Sequence, residues 1–365
     1  VSRIRVLVVD DSSFMRGVIA RTLASDPRFE VVGQAGDGAQ ALSLVKSLSP
    51  DVVSMDFNMP GVNGAEATRR ILAERPVPIV MLSAHTKEGA SATVEALAAG
   101  AVDFVGKPDG EVSAHLAGVK EELLAKLVSA SGVNLRSSPV AAAPSIVASD
   151  GSSPFASPAP QSSRAPRVLP SGHRLIVIAS STGGPAALVK LLPALALGRA
   201  ELSTSLVIVQ HLPGGFTRAL ADQLAERAGY PVCEVDRDDP SSLVLQPGRA
   251  YVAAGGSHLV LDRGARLRLT DAAPVHGVRP AADVTLASAA QHFGARCLGV
   301  VLTGMGKDGA RGLASVKAAG GATIAQDKAT STVYGMPKAA LELGVVDTVA
   351  PLERIAPVVN RLLGA

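Results

Sequence analysis

The sequence has no tryptophan, and aromatic residues make up only 3% of its 365 positions. Cores with so few rings must be filled by Val, Leu, Ile and Ala, the composition of parallel α/β sheets buried on both faces. Cysteine is nearly absent too. Cys233 and Cys297 are too few for a disulfide framework or a four-ligand zinc site. Both lie in apolar, strand-like surroundings, where a thiol behaves as a small buried hydrophobe. No apolar run approaches the ~20 residues of a membrane span. The opening VSRIRVLVVDD ends its Val/Leu run at two aspartates, unlike a secretory signal. A cytoplasmic chain without membrane insertion is expected. The sequence pI is about 9.0, yet the basic residues are scattered and no aromatic stripe accompanies them, so nucleic acid is not an expected partner.

What is present suffices for two cores. The chain is 47% hydrophobic and 18% charged, and its length favours two domains. Residues 1–131 carry a net charge of −3 and residues 172–365 one of +4. Between Ser137 and Ser171, 24 of 35 residues are Ser, Pro or Ala. Such a segment buries too little apolar surface to offset its ordering entropy and reads as a flexible linker. The expected division is a first domain over 1–130, a linker over 131–171 and a second domain over 172–365.

In the first part, IRVLVV, FEVVGQ, DVVSM, PIVMLS and VDFVG alternate with helical patterns such as FMRGVIARTLA. The second part repeats the alternation with RLIVIAS, SLVIVQH, RAYVAAG, CLGVVLTG and ATIAQD. Here HLVLDRGARLRL interrupts it as an antiparallel hairpin around a D-R-G turn. The fold class is α/β: two doubly wound parallel-sheet domains, the second a three-layer αβα unit with a β-hairpin insertion.

Open parallel sheets bind ligands at the carboxyl ends of their strands. In the first domain those ends carry Asp10, Asp11, Asp56, Ser83 and Lys107. Three converging carboxylates repel one another unless a cation lies among them, and an all-oxygen set suits Mg²⁺. A hydroxyl and an ammonium opposite suit a bound phosphoryl group. Ordinary helix capping explains any one of these residues, but not all five together. VLVVDDS, MDFNMPGVNG, MLSA and DFVGKP together resemble the receiver domain of response regulators, with its flavodoxin-like fold. The resemblance implies that Asp56 accepts phosphate from a histidine kinase and that Asp10, Asp11, Asp56 and the Asn58 carbonyl hold Mg²⁺. It also implies that Ser83 and Lys107 contact the phosphoryl group and that Phe104 is the aromatic switch.

In the second domain, RLIVIAS runs into S-S-T-G-G-P and a helical stretch. A serine there sits beside the free N–H groups and positive end of a helix, which suits a nucleophile that builds an oxyanion, and equally suits a helix cap. Strand SLVIVQ ends at His211, and a glycine-rich loop after CLGVVLTG holds Asp308. If those strands flank the serine strand, His211 takes the serine proton and Asp308 orients the imidazole. Ala179 stands where a G-x-S-x-G elbow has its first glycine, so this is not an ordinary α/β-hydrolase site. Gly304-x-Gly306-x-x-Gly309 follows a strand and precedes a helix, with Asp327 further on, so a NAD-type dinucleotide site is the competing reading. Against it, Asp308 would place a carboxylate in the turn that must approach a pyrophosphate.

ASSTGGP, VIVQHLPGGFT, LQPGRAYVAAGGSHL, RPAADVTLASAA, LTGMGKDGARGL and AQDKATSTVYGMPKAA resemble the catalytic domain of the chemotaxis protein-glutamate methylesterases, a Rossmann-like hydrolase. The resemblance selects Ser181 over its neighbour Ser180, with His211 and Asp308. It implies demethylation of glutamate methyl esters on chemoreceptor cytoplasmic helices, deamidation of receptor glutamines, a chemotaxis histidine kinase as phosphodonor and no cofactor in this domain. Turns around Thr182, Gly183, Gly184 and Met305 are candidate oxyanion donors. A receiver-controlled binding protein without activity is the remaining alternative.

Overall fold

The computed structural model of the chain describes residues 2–83, 87–107, 115–133 and 168–365. Most of the stretch expected to be a linker, 134–167, lies outside the described residues. Leu169, within the expected linker, is buried, and its N–H donates to the Leu362 carbonyl at 2.8 Å, so the second half is already ordered there.

The first sheet has the order β2-β1-β3-β4-β5, all parallel. Its strands are β1 (Ile4–Val9), β2 (Phe29–Ala35), β3 (Val52–Asp56), β4 (Ile79–Ser83) and β5 (Asp103–Gly106). This is the flavodoxin-like order, in which the direction of winding reverses between β1 and β3. Asp10 follows β1 and Asp56 ends β3, so both aspartates lie at the reversal. Helices α1 (Ser13–Ala24), α2 (Gly38–Leu48) and α3 (Gly64–Glu74) start at Ser12, Asp37 and Asn63, whose side chains accept from the N–H three residues on. These caps satisfy donors that a helix start otherwise leaves open. Helices α4 (Lys87–Ala98) and α5 (His115–Ser131) complete the unit.

The second sheet, of seven described strands, is also wholly parallel. At its centre β6 (Arg174–Ser180) lies between β7 (Thr204–Gln210) and β12 (Cys297–Val301). On one side β13 (Ala322–Gln326) and β14 (Thr348–Ala350) continue the sheet, on the other β9 (Ala250–Val252) and β8 (Val232–Glu234). Leu175 to Ser180 are all buried, as expected of a central strand covered on both faces. Winding runs outward from β6 through β7, then returns to β12, so the reversal falls between β6 and β12. The hairpin forms as expected, β10 (His258–Asp262) against β11 (Arg266–Thr270), as a separate two-stranded sheet. Cys233 is half-buried in β8 and Cys297 buried in β12, both free thiols. Burial pushes the Cys297 thiol up to about 12, which keeps it protonated and inert.

The two halves share one hydrophobic cluster. It runs from Val94, Leu97 and Phe104 of the first into Leu188, Phe216 and Leu220 of the second. There α4 packs on α6 (Gly184–Leu191) and α7 (Phe216–Ala228). No described helix is long and apolar enough to cross a membrane.

Candidate active site

Ser180 and Ser181 stand at the carboxyl end of β6, and sheet register decides their different fates. Ser180 pairs with Gln210 on β7 and is fully buried; its hydroxyl donates to Gln210 Oε1 at 2.7 Å. Gln210 Nε2 in turn donates to the Ser181 carbonyl at 3.0 Å. Ser181, one residue later, leaves the sheet and lines a cleft of about 520 Å³ together with His211 and Asp308. Its own N–H donates to the Thr303 carbonyl beyond β12 at 3.0 Å. Its hydroxyl has no hydrogen-bond partner among the described residues, His211 included, so the serine–histidine bond of a closed triad is not formed in this arrangement. Two glycines make the turn possible. A Cβ on Gly304 would stand 2.8 Å from that of Ser181, and one on Gly184 would stand 2.0 Å from Gln210 Oε1.

The strands of the His and Asp flank the serine strand, as the triad reading requires. His211 follows β7, and its N–H donates to the Ser180 carbonyl at 3.1 Å. Asp308 lies in the loop after β12 and is 2% exposed. Its Oδ2 accepts from His211 Nε2 at 2.7 Å and from the Ala282 N–H at 2.6 Å, and Oδ1 accepts from the Asp283 N–H at 2.9 Å. Burial alone would push this carboxyl up. The hydrogen bond and charge of His211, with the two amides, outweigh it and hold the group below the usual carboxylate range. An ionised Asp308 fixes the tautomer with the proton on Nε2, which leaves Nδ1 as the basic nitrogen. The ring nitrogens thus exchange the roles they have in the chymotrypsin arrangement.

The four candidate oxyanion donors differ in what their amides already hold. The Gly183 N–H donates to the Val102 carbonyl of the first half at 3.0 Å, and the Gly184 N–H to the Ser181 carbonyl at 2.7 Å. Neither amide is open in this arrangement. The amides of Thr182 and Met305 have no partner among the described residues, and both residues line the cleft.

The dinucleotide reading fares worse. The Gly304 N–H is spent on the Val333 carbonyl at 2.9 Å, and Gly309, at φ 86°, begins α9 (Ala310–Ala318). Asp308 fills the turn that a pyrophosphate would have to enter.

The first half reaches into the same cleft. Asp103, Phe104, Glu122 and Lys126 form part of its wall. The Thr182 hydroxyl donates to Asp103 Oδ2, and Phe104 stacks on Phe216 with ring centroids 4.7 Å apart. Lys126 Nζ lies 3.2 Å from Asp103, 2.8 Å from Glu122 and 2.5 Å from the Phe104 carbonyl. Burial opposes its charge, but the two carboxylates raise Lys126 above the usual lysine range.

At the other rim, Asp10, Asp11 and Asp56 each offer an oxygen within 4.8 Å of the others. Lys107 Nζ lies 2.8 Å from both Asp10 Oδ2 and Asp56 Oδ1. Asp10 Oδ2 is buried and has only the Lys107 ammonium as its partner, so a metal ion here would share that oxygen with the lysine. With acceptor-only ligands and an exposed Asp11 on the open side, the set fits Mg²⁺. Burial raises Asp56 more than Lys107 lowers it, so its carboxyl sits above the usual range. Asn58 is exposed beside it, and its N–H faces the Asp56 carboxylate. Ser83 is buried at the end of β4, where its hydroxyl donates to the Gly89 carbonyl at 3.1 Å.

Residues 176–359 match the CheB methylesterase family, and residues 6–116 match the response regulator receiver domain. A protein-glutamate methylesterase/protein-glutamine glutaminase of Symbiobacterium thermophilum is 45% identical over 99% of this chain and 97% of its own. One of the same name from Pyrococcus abyssi is 43% identical over 98% and 93%. The chain belongs to the CheB methylesterase family. Among solved structures, the catalytic domain of Thermotoga maritima CheB methylesterase is 37% identical and covers 53% of this chain and 99% of its own, with a TM-score of 0.48. The response regulator domain of Thermotoga maritima CheB is 47% identical and covers 36% and 99%, with a TM-score of 0.34. A receiver domain implies Mg²⁺-dependent phosphorylation.

Three features of this CheB-family site were missed from the sequence. One is the Ser180–Gln210 bond. Another is the Asp103–Thr182 bond between the halves. The last is a second His–Asp pair: His276 Nε2 lies 2.8 Å from Asp283 Oδ2, and Asp283 Oδ1 accepts from the Gly312 N–H at 2.7 Å. His276, Asp283 and Asp308 also lie close enough to share an ion, but N–H donors already occupy their oxygens. A histidine seven residues before an aspartate across a helix start was the available signal.

Proposed function

We propose that the chain is a phosphorylation-regulated hydrolase that demethylates glutamate methyl esters on the cytoplasmic helices of chemoreceptors and deamidates receptor glutamines. The observation that carries the reading is β6 flanked by β7 and β12, with Ser181 beside a His211–Asp308 pair at 2.7 Å. Ser181 Oγ attacks the ester carbonyl as His211 Nδ1 takes its proton. Collapse of the adduct expels methanol with that proton and leaves an acyl-serine. Water, deprotonated by His211, then releases the glutamate carboxylate and restores Ser181. With glutamine the leaving group is ammonia. The open amides of Thr182 and Met305 are the donors best placed for the developing oxyanion.

Residues 1–130 act as the receiver and 172–365 as the catalytic unit, joined through 131–171, in the cytoplasm. Asp56 accepts the phosphoryl group from a chemotaxis histidine kinase; Asp10, Asp11, Asp56 and the Asn58 carbonyl would hold Mg²⁺, which would supply charge neutralisation there. Ser83 and Lys107 take up the transferred group and Phe104 responds. The unphosphorylated receiver covers the serine cleft, and the Asp103–Thr182 and Phe104–Phe216 contacts support that assignment. The test is methanol release from methylated receptor membranes with a small phosphodonor, against Ser181→Ala and Asp56→Asn. Retained release in Ser181→Ala removes the triad, and undiminished activation of Asp56→Asn removes the receiver's role.

A further inference from the structure

Next to the serine cleft a second hollow, of about 280 Å³, lies between α9 and the end of α10 (Met336–Glu342). The two hollows share His276 and Lys307, so a continuous groove leads from Ser181 past Lys307 to Arg311 and Leu343. On the catalytic half its lining cations are Arg279, Lys307 and Arg311, against the acids Asp308 and Glu342; Asp103, Glu122 and Lys126 belong to the first half. Lys307 and Arg311 are exposed, and neither has a carboxylate partner among the described residues. At the cleft lip Arg279 donates to the carbonyls of Asp271 and Ala272, at 3.1 and 3.0 Å, and shares the nearby Asp271 carboxylate with Arg237, which holds it at 2.5 Å. The nearby acids are otherwise engaged. Asp308 and Asp283 are buried and bound to His211 and to the exposed His276, Asp103 and Glu122 pair with Lys126, and Glu342 pairs with Lys338 at 3.6 Å.

Local structure gives no reason for these cations. Arg311 lies in the first turn of α9, which has no acidic residue, where a positive charge is disfavoured by the helix dipole. A locally unfavourable charge without a partner is expected where something outside the chain supplies the partner. The groove also presents apolar surface at both ends: Met305 is 46% exposed and Leu343 is 52% exposed.

We infer that this groove is a docking track for an acidic stretch of the receptor chain next to the scissile ester, an inference that rests on the methylesterase reading above. The chemistry identifies the occupant. Each turnover converts a neutral ester into a carboxylate, so segments already cleared at neighbouring positions carry the charge that Arg279, Lys307 and Arg311 attract. Side chains between those carboxylates meet Met305 and Leu343. The enzyme therefore works faster on receptor segments whose neighbouring glutamates are free than on those where they are masked.

The test compares two substrates on one preparation of the full chain activated by a phosphodonor: methyl-esterified receptor membranes and p-nitrophenyl acetate. Lys307→Glu/Arg311→Glu lowers kcat/KM on receptors about tenfold or more relative to the small ester, through KM, because rim charges act on encounter and retention. Arg311→Gln, further from Asp308, gives a smaller fall in the same ratio, and Arg311→Lys restores it. Added salt raises the wild-type KM for receptors and leaves that of the Glu double variant nearly unmoved. Changing a flanking receptor glutamate to alanine weakens wild type but adds nothing to the double variant. Equal falls on both substrates, or a wild-type KM insensitive to salt, overturn the track. A wild-type chain that cleaves the small ester but releases no methanol from receptors overturns the methylesterase reading itself, and the track with it.

Discussion

The contact between Asp103 and Thr182 should set how tightly the unphosphorylated chain is held inactive. Asp103 is 8% exposed, and its carboxylate accepts the hydroxyl of the residue that follows the nucleophile. A hydrogen bond to a charged group contributes roughly 1.5–3 kcal/mol when its partner would otherwise be left unpaired. At about 1.4 kcal/mol per tenfold, breaking it moves the closed–open balance by roughly 10- to 150-fold. A chain that is about 99% closed would then be at least about one-tenth open without phosphate. Thr182→Val removes the bond alone. Asp103→Ala also strips Lys126 of one of its two carboxylates, so the double variant is needed to isolate the pair.

The assay is methanol release from receptor membranes without phosphodonor, divided by release at saturating phosphodonor. Both single variants should raise this ratio about tenfold or more, and the double variant should add little to Asp103→Ala. Hydrogen exchange supplies an independent reading. The Gly183 N–H, bonded across the interface to Val102, should lose protection in both variants as it does on phosphorylation. A ratio unchanged in both singles, with Gly183 still protected, would refute the argument that this bond holds the closed state.

Ser181→Ala should lower receptor turnover by about a thousandfold or more, whereas Ser180→Ala should keep most of it and cost about 1–2 kcal/mol of stability by orphaning Gln210, read as kcat and as denaturant midpoint. Gly304→Ala should cost about a hundredfold in kcat, because the added methyl would stand 2.3 Å from Met336 Sδ and 2.8 Å from Ser181 Cβ and must displace the nucleophile. Asp56→Asn should raise the melting temperature at neutral pH in the absence of Mg²⁺. The folded-state pKa of Asp56 is raised, so its penalty is absent below the unfolded value, grows as pH climbs through the folded one and persists above it. Equal melting curves at neutral pH would show that Lys107 fully compensates the buried charge. Asp308 has the opposite sign: its lowered pKa stabilises the fold above the unfolded value, and that contribution is lost as pH falls through the folded one, so Asp308→Asn should flatten the acid limb of stability.

The central strands were legible because they are buried on both faces and read as continuous apolar runs. RLIVIAS, SLVIVQ and CLGVV all fall in β6, β7 and β12. The edges β8 and β14 were not, since three residues of mixed exposure show neither a period nor the buried apolar run that marks the equally short β9. Strand order is a property of pairing rather than of pattern, so the meeting of Ser181, His211 and Asp308 could be stated only as a condition on β7 and β12. Choosing Ser181 over Ser180 from residues alone was impossible because both are hydroxyls at one turn. The burial of Ser180 against Gln210 is a matter of register. That the Gly183 amide is occupied by Val102 in this arrangement was out of reach, because that partner belongs to another domain. No motif encodes how two separately folded bodies dock.

That docking gives β5 a double duty. Beyond its carboxyl end, Lys107 holds Asp10 and Asp56 at 2.8 Å, and the Lys107 N–H is tied to the Ser83 carbonyl at 2.7 Å. At its amino end, three consecutive residues engage the catalytic half: Val102 through its carbonyl, Asp103 through its carboxylate and Phe104 through its ring. Four residues of strand lie between Val102 and Lys107, five steps that span about 17 Å at ~3.3 Å per residue. A phosphoryl group on Asp56 adds charge where Lys107 already bridges two aspartates, so that bridge must rearrange. The strand it is anchored to is the one that occupies the Gly183 amide and the Thr182 hydroxyl. Communication between phosphoacceptor and nucleophile therefore needs no relay of side chains through either core. On the proposed roles of Asp56 and Ser181, a small displacement of β5 would act at both sites at once, and the interface would report it because its bonds, unlike the core of either sheet, can be exchanged for water.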